Sequence, residues 1–299
     1  AERAGRAGWL AKADLATAMV GEFAKLQGVM GQDYATRSGE SKAVADAVFE
    51  HYLPRFAGDE LAQSDEGTSV ALSDRMDSLM GCFTLGLEPT GSADPYALRR
   101  QALGVVRMQR NSERVPALST LIDVAAETYQ SAGVAIDAEA MSRLTAFFRG
   151  RMKAAFAQEQ SSDLVEAVLA VSHDHAFDVD ARLEALVAAK QAAGWEDLAA
   201  LVKRVANITE DVEPSPLEPD GFTEPAAADL YRALEAVQAK ARPLLDAKAY
   251  REGLTQLATL KGPIDRFFDE VLVMSKEPAE RARRLALLTT VARLFSRVA

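Results

Sequence analysis

Apolar residues recur every three or four positions along almost the whole chain, which is the spacing of one face of an α-helix. Strand-like alternation is nearly absent, and the short apolar run Val271–Met274 continues a helical pattern that begins at Ile264. The clearest helical stripe contains Leu230, Leu234, Val237, Ala241, Leu244 and Leu245. The pattern therefore predicts an all-α fold.

The helical pattern breaks once over a long stretch, between Thr209 and Gly221. This stretch contains three prolines and five acidic residues, and helices do not continue through such a sequence. We therefore predict a linker over 209–225, and three or four helices after it. The predicted helices cover residues 226–247, 249–260, 263–275 and 278–298. The predicted parts of the chain are a helical domain over 1–115, a connecting region over 116–208, the linker, and a helical bundle over 226–299.

Composition and charge exclude several classes of protein. Of the 299 residues, 48% are hydrophobic and 26% are charged, which argues against disorder and low complexity. Asp and Glu outnumber Lys and Arg by 44 to 34, so the chain does not bind polyanions through its overall charge. A single cysteine, Cys82, cannot form an internal disulfide, and no apolar run is long enough to span a bilayer. We expect a soluble cytoplasmic protein.

Simple catalytic motifs are missing from the sequence. It lacks the glycine-rich phosphate loop, the dinucleotide-binding fingerprint and the nucleophile elbow. Cys82 follows Leu79, Met80 and Gly81 on an apolar helix, where a lone buried thiol is usually inert. We predict no catalytic residue and no metal site.

Two sets of residues in the sequence are candidate metal ligands. His173 and His175 lie close to Asp178 and Asp180, but their spacing favours a solvated loop ahead of a helix that starts near Asp180. Asp14 and Asp74 each lie in an amphipathic segment that is predicted to be helical. There a metal ion or an ion pair with Lys12, Arg75 or a distant arginine would stabilise a buried carboxylate, and the pattern favours the ion pair.

An arginine-rich helix follows the loop Glu88–Asp94. Asp94 precedes Pro95, which predicts an N-cap with proline at the first helical position. The spacing of the arginines places Arg100, Arg107, Arg110 and Arg114 on one face. This face is either solvated or paired with acids, or it contacts phosphate.

Several strings, in order from end to end, together resemble the beta subunit of bacterial heterotetrameric glycyl-tRNA synthetase. They are Lys12–Phe23, Leu26–Gly31 with Tyr34, Pro54–Asp59, Pro89–Gly104, Lys203–Ile208, Phe267–Met274, and Arg281 with Arg284–Leu288. The resemblance implies the C-terminal part of a beta subunit, starting inside an HD-like helical domain that is truncated at its N-terminus. It implies tRNA binding on this chain. It also implies that glycine activation, with ATP and Mg²⁺, is carried out by an alpha subunit in a heterotetramer.

By this resemblance, the segment after the linker is an anticodon-binding helical bundle of the DALR type. Its last helix carries Arg281, Arg283 and Arg284 as the expected tRNA contacts, since arginine binds phosphate and stacks on unpaired bases. Position 283 is arginine where the family often has asparagine. Phe267 and Phe268 are expected to lie in the core rather than to stack on bases.

The resemblance also implies an HD-like domain whose metal pair has degenerated. Ala13 and Asp14 stand where the histidine and aspartate would be, and Asp74 matches the later acid. We therefore expect this domain to hold the tRNA acceptor arm or body, through Arg99, Arg100, Arg107 and Arg110. The loop Thr90–Ser92 either receives a phosphate or forms a tight turn. The alternatives are a metal-dependent phosphohydrolase of the HD type and a non-catalytic helical scaffold that docks the alpha subunit.

Overall fold

The computed structural model describes residues 1–217 and 221–299, which form two units. Unit 1 contains Ala1–Gln158 and Asp174–Phe177, and unit 2 contains Glu159–His173 and Asp178–Ala299. Within the described ranges the regular secondary structure is helical, with one isolated bridge between Thr90 and Ala93 and no β-strand. The predicted all-α fold class is confirmed.

The unit boundary near residue 158 lies inside the predicted connecting region 116–208. The four-part organisation remains a prediction. The predicted linker 209–225 is described up to Leu217 and again from Gly221, and its residues 218–220 lie outside the described part of the chain.

Unit 1 contains eight α-helices and two short 3₁₀ turns among its described residues. The 3₁₀ turns are Ala13–Ala16 and Ala24–Leu26. The helices are α1 (Glu2–Leu10), α2 (Ala18–Glu22), α3 (Val29–Arg37), α4 (Lys42–Glu50), α5 (Asp65–Thr84), α6 (Leu98–Asn111), α7 (Leu118–Ser131) and α8 (Ala138–Phe156).

Helix α5 is the centre of unit 1 and packs against α1, α4, α6, α7 and α8. Its start is fixed by Ser64, whose hydroxyl accepts a hydrogen bond from the Gly67 amide at 2.9 Å. Its apolar residues Leu79, Met80 and Phe83 are almost fully buried, with Phe148 of α8. Burial of such side chains stabilises the unit by about 1.5–3 kcal/mol each.

The start of α6 differs from the prediction. The helix begins at Leu98, because Ala97 adopts a left-handed conformation and precedes the first helical turn. Asp94 still caps the helix, since its carboxylate accepts hydrogen bonds from the amides of Leu98 at 2.8 Å and Arg99 at 3.0 Å. Pro95 therefore lies in the turn before the helix rather than at its first position.

Unit 2 contains seven helices in its described part. They are α9 (Ser162–Val171), α10 (Ala176–Lys190), α11 (Trp195–Thr209), α12 (Pro225–Asp246), α13 (Tyr250–Ala258), α14 (Lys261–Glu270) and α15 (Pro278–Phe295). The first two residues of α10 belong to unit 1 by their contacts. The core of the C-terminal part is formed by apolar faces of α12 to α15, including Leu234, Leu257, Ile264, Phe267 and Leu287.

Two helix boundaries in unit 2 correct the prediction. Helix α10 begins at Ala176, not near Asp180. Helix α14 ends at Glu270 and is followed by Val271 in an extended conformation and by a turn at Val273 and Met274, with Val271 and Val273 buried and Leu272 and Met274 exposed. β-Branched residues such as Val271 favour an extended backbone over a helical one.

Along the described ranges, no helix is both long and apolar enough to cross a membrane.

Candidate RNA-binding surfaces

Arg284 is buried inside unit 2, although the sequence assigns it to a tRNA-contacting surface. Its guanidinium pairs with Glu224 and, at 2.9 Å, with Glu280, and it donates a hydrogen bond to the Leu272 carbonyl at 2.9 Å. Burial is the largest single influence on the pKa of Glu224 and acts to raise it, but the hydrogen bonds from Arg284, from the Glu224 amide and from Thr223, with the charge of Arg284, together lower the pKa below its ordinary value. Arg284 thus holds the starts of α12 and α15 together, and its role as an RNA contact remains a prediction that this geometry disfavours.

Arg281 and Arg283 lie near the start of α15 and are half-buried. Neither side chain makes a hydrogen bond or an ion pair within the described ranges. The stem of Arg283 covers Gly221, where an added Cβ would come within 2.5 Å of the arginine Cδ. Both guanidinium groups are therefore available for a ligand, and their assignment to tRNA remains a prediction.

A groove of about 680 Å³ lies between α12 and α15 in unit 2. On α12, positions spaced by four residues line it, and on α15 the same spacing places a second polar row opposite. The polar lining residues on these helices and at the end of α15 are Gln238, Arg242, Asp246, Thr289, Thr290, Arg293, Ser296 and Arg297.

Two arginines of the groove have no carboxylate partner among the residues that the structure describes. Arg297 pairs with Asp246 at 2.5 Å. Arg242 and Arg293 are exposed and have no ion-pair partner along the described chain. The Thr289 hydroxyl is buried in the same region and has no hydrogen-bond partner in the described part of the chain. An anionic, hydrogen-bonding ligand therefore fits this groove.

The α6 arginines of unit 1 do not form one open face. Arg107 donates to the carbonyl of Asp59 at 2.6 Å, and the Arg110 guanidinium lies 5.0 Å from the centre of the Phe156 ring. Arg114 lies beyond the end of α6 and pairs with Asp65 at 2.6 Å. The predicted four-arginine stripe is therefore wrong as a helical face, because α6 ends at Asn111.

Arg99 closes the loop ahead of α6. It donates to the carbonyls of Gly91 at 2.7 Å and Ala93 at 3.3 Å, while Thr90 and Ala93 exchange backbone hydrogen bonds at 3.1 and 2.8 Å. The Thr90–Ser92 loop is therefore a tight turn. Arg100, the next residue, is exposed and has no partner within the described ranges. The roles of Arg99, Arg100, Arg107 and Arg110 in tRNA binding remain predictions.

Asp14 and Asp74 are each satisfied by protein groups. Asp14 lies in a 3₁₀ turn rather than an α-helix, and it is buried. Its carboxylate accepts hydrogen bonds from the Gly28 amide at 2.6 Å and the Tyr52 hydroxyl at 3.1 Å. Asp74 pairs with Lys12. The ion-pair interpretation agrees with the Lys12–Asp74 pair, whereas Asp14 is satisfied by an amide and a hydroxyl instead of an ion pair. The absence of a metal site at these two positions remains a prediction.

The His173–Asp180 segment is also structural. Asp174 accepts a hydrogen bond from the Ser119 amide at 2.7 Å at the start of α7, and His175 Nε2 lies 2.8 Å from the Val115 carbonyl. Asp178 pairs with Arg182 at 2.8 Å. In the described part of the chain, no group of three His, Cys, Asp or Glu side chains is placed to hold a metal ion.

Burial raises the pKa of the Cys82 thiol, which keeps it protonated and a poor nucleophile at neutral pH. Phe267 is fully buried, which confirms its place in the core. Phe268 is half-buried, and the Arg204 guanidinium lies 3.9 Å from the centre of its ring.

The class of the protein follows from its C-terminal bundle. The family model of the DALR anticodon binding domain matches residues 198–298, the range that contains the groove between α12 and α15. Unit 2 is thus similar to helical domains that bind anticodons.

The longer family match covers the N-terminal part and identifies the family of the chain. The family model of the glycyl-tRNA synthetase beta subunit matches residues 1–170, more than half of the chain, and the chain belongs to this family. The resemblance drawn from the sequence is confirmed.

Three relatives are each described as a glycine–tRNA ligase beta subunit. That of Citrifermentans bemidjiense is 43% identical over 294 residues, covering 98% of this chain and 43% of the relative. That of Trichlorobacter lovleyi is 42% identical, covering 100% of this chain and 43% of the relative. That of Magnetococcus marinus is 43% identical, covering 98% of this chain and 43% of the relative. The chain therefore spans less than half the length of these relatives.

Sequence reasoning missed the α12 side of the groove. Gln238, Arg242 and Asp246 are spaced by four residues opposite the apolar stripe of the same helix. This polar row was a usable signal, because a helix with a buried stripe places such a row on its other face.

Proposed function

We propose that this chain contributes tRNA recognition to a glycine–tRNA ligase and that it binds glycine tRNA through the groove between α12 and α15. The observation that carries the proposal is that Arg242 and Arg293 have no ion-pair partner among the described residues and line a groove of the bundle that is similar to anticodon-binding domains. The relatives' description as glycine–tRNA ligase beta subunits supports glycine tRNA as the RNA.

The chemistry of the groove suits a nucleic acid backbone with unpaired bases. Arginine donates two parallel hydrogen bonds to a phosphate, and its planar guanidinium stacks on a base. Gln238 and the hydroxyls of Thr289 and Ser296 add hydrogen-bonding groups that can reach base edges or ribose. We assign the phosphate contacts to Arg242 and Arg293, with Arg281 and Arg283 extending the basic surface along α15.

The catalytic step is proposed to lie elsewhere. A ligase that joins glycine to tRNA needs ATP and Mg²⁺, and we assign both, with glycine activation, to an alpha subunit that partners this chain. Unit 1 is proposed to hold the acceptor arm or body of the tRNA. Work in translation would place the complex in the cytoplasm.

Fluorescence anisotropy with labelled glycine tRNA and a noncognate tRNA tests the proposal. We expect preferential binding of glycine tRNA, and we expect Arg242→Ala with Arg293→Ala to weaken that binding by roughly tenfold or more at low salt. Phosphate contacts that release counterions account for a loss of this size.

The matched control is Arg232→Ala with Arg266→Ala. These arginines are ion-paired with Asp229, and neither lines the groove. The control removes the same charge from unit 2 and should change affinity by less than about threefold. Equal losses of tRNA affinity in both double variants would show that the groove contributes only nonspecific charge. An absence of tRNA binding at low salt would favour a helical scaffold that docks another subunit.

A further inference from the structure

A second cavity of about 680 Å³ lies within unit 1. It is formed by the two 3₁₀ turns, the end of α4, the loop after it, the middle of α5 and the start of α6. The basic side chains that line it are Lys12, Lys25, Arg55, Arg75 and Arg100, against the single acidic side chain Asp74. The wall of the cavity is therefore strongly cationic, in a chain whose net charge is −10.

Two of these basic groups are neutralised by the protein. Lys12 pairs with Asp74, and Arg55 pairs with Asp59 through hydrogen bonds of 2.8 and 3.1 Å. The hydrogen bond from Arg55 lowers the pKa of Asp59 to about 2, so this carboxylate is charged at neutral pH. The other three basic side chains, Lys25, Arg75 and Arg100, have no carboxylate partner within the described ranges.

Arg75 is the buried member of these three. Its terminal nitrogens donate hydrogen bonds of 2.9 to 3.2 Å to four backbone carbonyls, those of His51, Tyr52, Pro54 and Ala71. Burial lowers the pKa of Arg75, and the nearby charge of Asp74 acts in the opposite direction. Carbonyl dipoles solvate the guanidinium but leave its net charge in place, so an anion in the cavity gains favourable electrostatic energy.

Lys25 and Arg100 are the exposed members. Both line the cavity, and neither side chain has a hydrogen bond or ion pair along the described chain. They lie on different elements, the second 3₁₀ turn and α6. Two uncommitted cations facing one cavity from two elements can hold a phosphate between them.

An aromatic side chain stands at the same cavity. Phe56 is 57% exposed, and the Arg55 guanidinium lies 5.8 Å from the centre of its ring. Exposed aromatic rings beside basic groups are the usual platforms on which proteins stack nucleobases. The volume of the cavity also falls in the range of small-ligand sites.

His51 adds a polar atom without a partner to this wall. Its Nδ1 lies 2.6 Å from the Val48 carbonyl, which can only accept a hydrogen bond, so Nδ1 carries the proton. Nε2 is buried and has no hydrogen-bond partner among the described residues. Burial lowers the pKa of His51, so the ring is neutral and Nε2 is an acceptor.

We propose that this cavity binds a nucleoside phosphate, with the phosphate held by Lys25 and Arg100 beside the charge of Arg75 and the base stacked on Phe56. The ligand is either a free nucleotide or an unpaired nucleotide of an RNA strand, which share this chemistry. The site uses none of the glycine-rich loops that the sequence lacks. It also does not depend on the proposed tRNA contact in unit 2.

Isothermal titration of the full chain with AMP, GMP, CMP, adenosine and inorganic phosphate tests this inference. We expect at least one nucleotide to bind roughly tenfold more tightly than adenosine, because the phosphate supplies the main contacts. Lys25→Ala with Arg100→Ala should weaken nucleotide binding by roughly tenfold or more. Phe56→Ala should weaken nucleotide binding severalfold and leave the affinity for inorganic phosphate unchanged.

The matched control is Arg3→Ala with Arg37→Ala, which removes two exposed positive charges of unit 1 that do not line the cavity. We expect it to bind nucleotide like the unaltered chain. A single-stranded RNA tetranucleotide distinguishes a free nucleotide from a nucleotide of an RNA strand. If the tetranucleotide binds more tightly than AMP, the site binds RNA, and if it binds more weakly, the site binds a free nucleotide. The proposal is overturned if neither AMP, GMP, CMP nor the tetranucleotide binds, or if the Lys25 and Arg100 double variant binds as tightly as the control.

Discussion

Helices α6 and α15 each carry four arginines, yet the two helices use them differently. On α6, Arg99 and Arg107 donate their hydrogen bonds to backbone carbonyls of the loops beside them. On α15, Arg284 is held by glutamates inside the bundle, whereas Arg293 lies in an open groove without an ion pair along the described residues.

The comparison separates charge that holds the fold from charge that a ligand can use. A guanidinium has five donors, and once these are directed at carbonyls or carboxylates of the protein the group has little left for phosphate. Counting arginines on a helix therefore overstates its capacity for RNA. The uncommitted ones, such as Arg100 in unit 1 and Arg242 in unit 2, identify the two surfaces proposed here.

The sharpest contrast lies on α15 itself, between Arg284 and Arg293. We expect Arg284→Ala to lower the free energy of unfolding by about 3 kcal/mol, because it leaves Glu224 and Glu280 partly buried without their partner. Arg293→Ala should stay within about 0.5 kcal/mol of the unaltered chain, as is usual for an exposed side chain without a partner. Urea unfolding followed by circular dichroism measures both, and equal stabilities would place Arg284 among the free arginines.

In unit 1, the position of Arg75 depends on Gly104. A Cβ at Gly104 would come within 2.7 Å of the arginine Nε, so Gly104→Ala must displace a buried guanidinium that holds four carbonyls. We expect a loss of about 1–3 kcal/mol in the free energy of unfolding. Gly150→Ala is the matched control on α8, where no atom lies within 4 Å of the added Cβ, and it should be neutral or stabilising by up to about 1 kcal/mol. Similar effects of the two substitutions would contradict the tight placement of Arg75.

A smaller effect is expected from acid. The pKa of Asp59 is about 2 in the folded chain, held down by the hydrogen bond from Arg55, and lies near 3.8 when unperturbed. A lowered folded pKa gives stability that is present above the unfolded value and is lost as the pH falls from about 4 to 2. We expect this contribution to be about 1–2 kcal/mol, reduced because Arg55 is partly exposed. Asp59→Asn should therefore have a lower free energy of unfolding than the unaltered chain at pH 6, but this free energy should fall less between pH 4 and pH 2. If it falls equally in both proteins over this pH range, the pair contributes nothing to stability.

Much of the fold follows from the sequence, because helical periodicity and breakers are local signals. The break at the linker prolines, the apolar stripe on α12 and the capping by Asp94 are all predicted by local patterns. The left-handed Ala97 moves the start of α6 from the predicted Pro95 to Leu98. The end of α14 at Glu270 was not predicted, because Val271 continues the helical spacing of Ile264, Phe267 and Phe268, although the buried Val273 does not.

The sites were less predictable, because availability is a tertiary property. Arg281 and Arg284 look equivalent in sequence, but Glu224, 60 residues away from Arg284, accepts its hydrogen bond and removes it from the surface. In the same way, the basic cavity of unit 1 gathers residues from five separated segments, none of which forms a motif. Family resemblance supplied the class of ligand, and the geometry changed the residues proposed to bind it.

The salt dependence of glycine tRNA binding tests the central claim most directly, that the uncommitted arginines of the α12 and α15 groove contact phosphate. Affinity is measured over a series of salt concentrations for the unaltered chain, for Arg242→Ala with Arg293→Ala, and for Arg232→Ala with Arg266→Ala. We expect the slope of log affinity against log salt to fall in magnitude by about 2 in the groove variant, about 1 for each phosphate contact removed, and to stay unchanged in the control. An unchanged slope in the groove variant would contradict the claim.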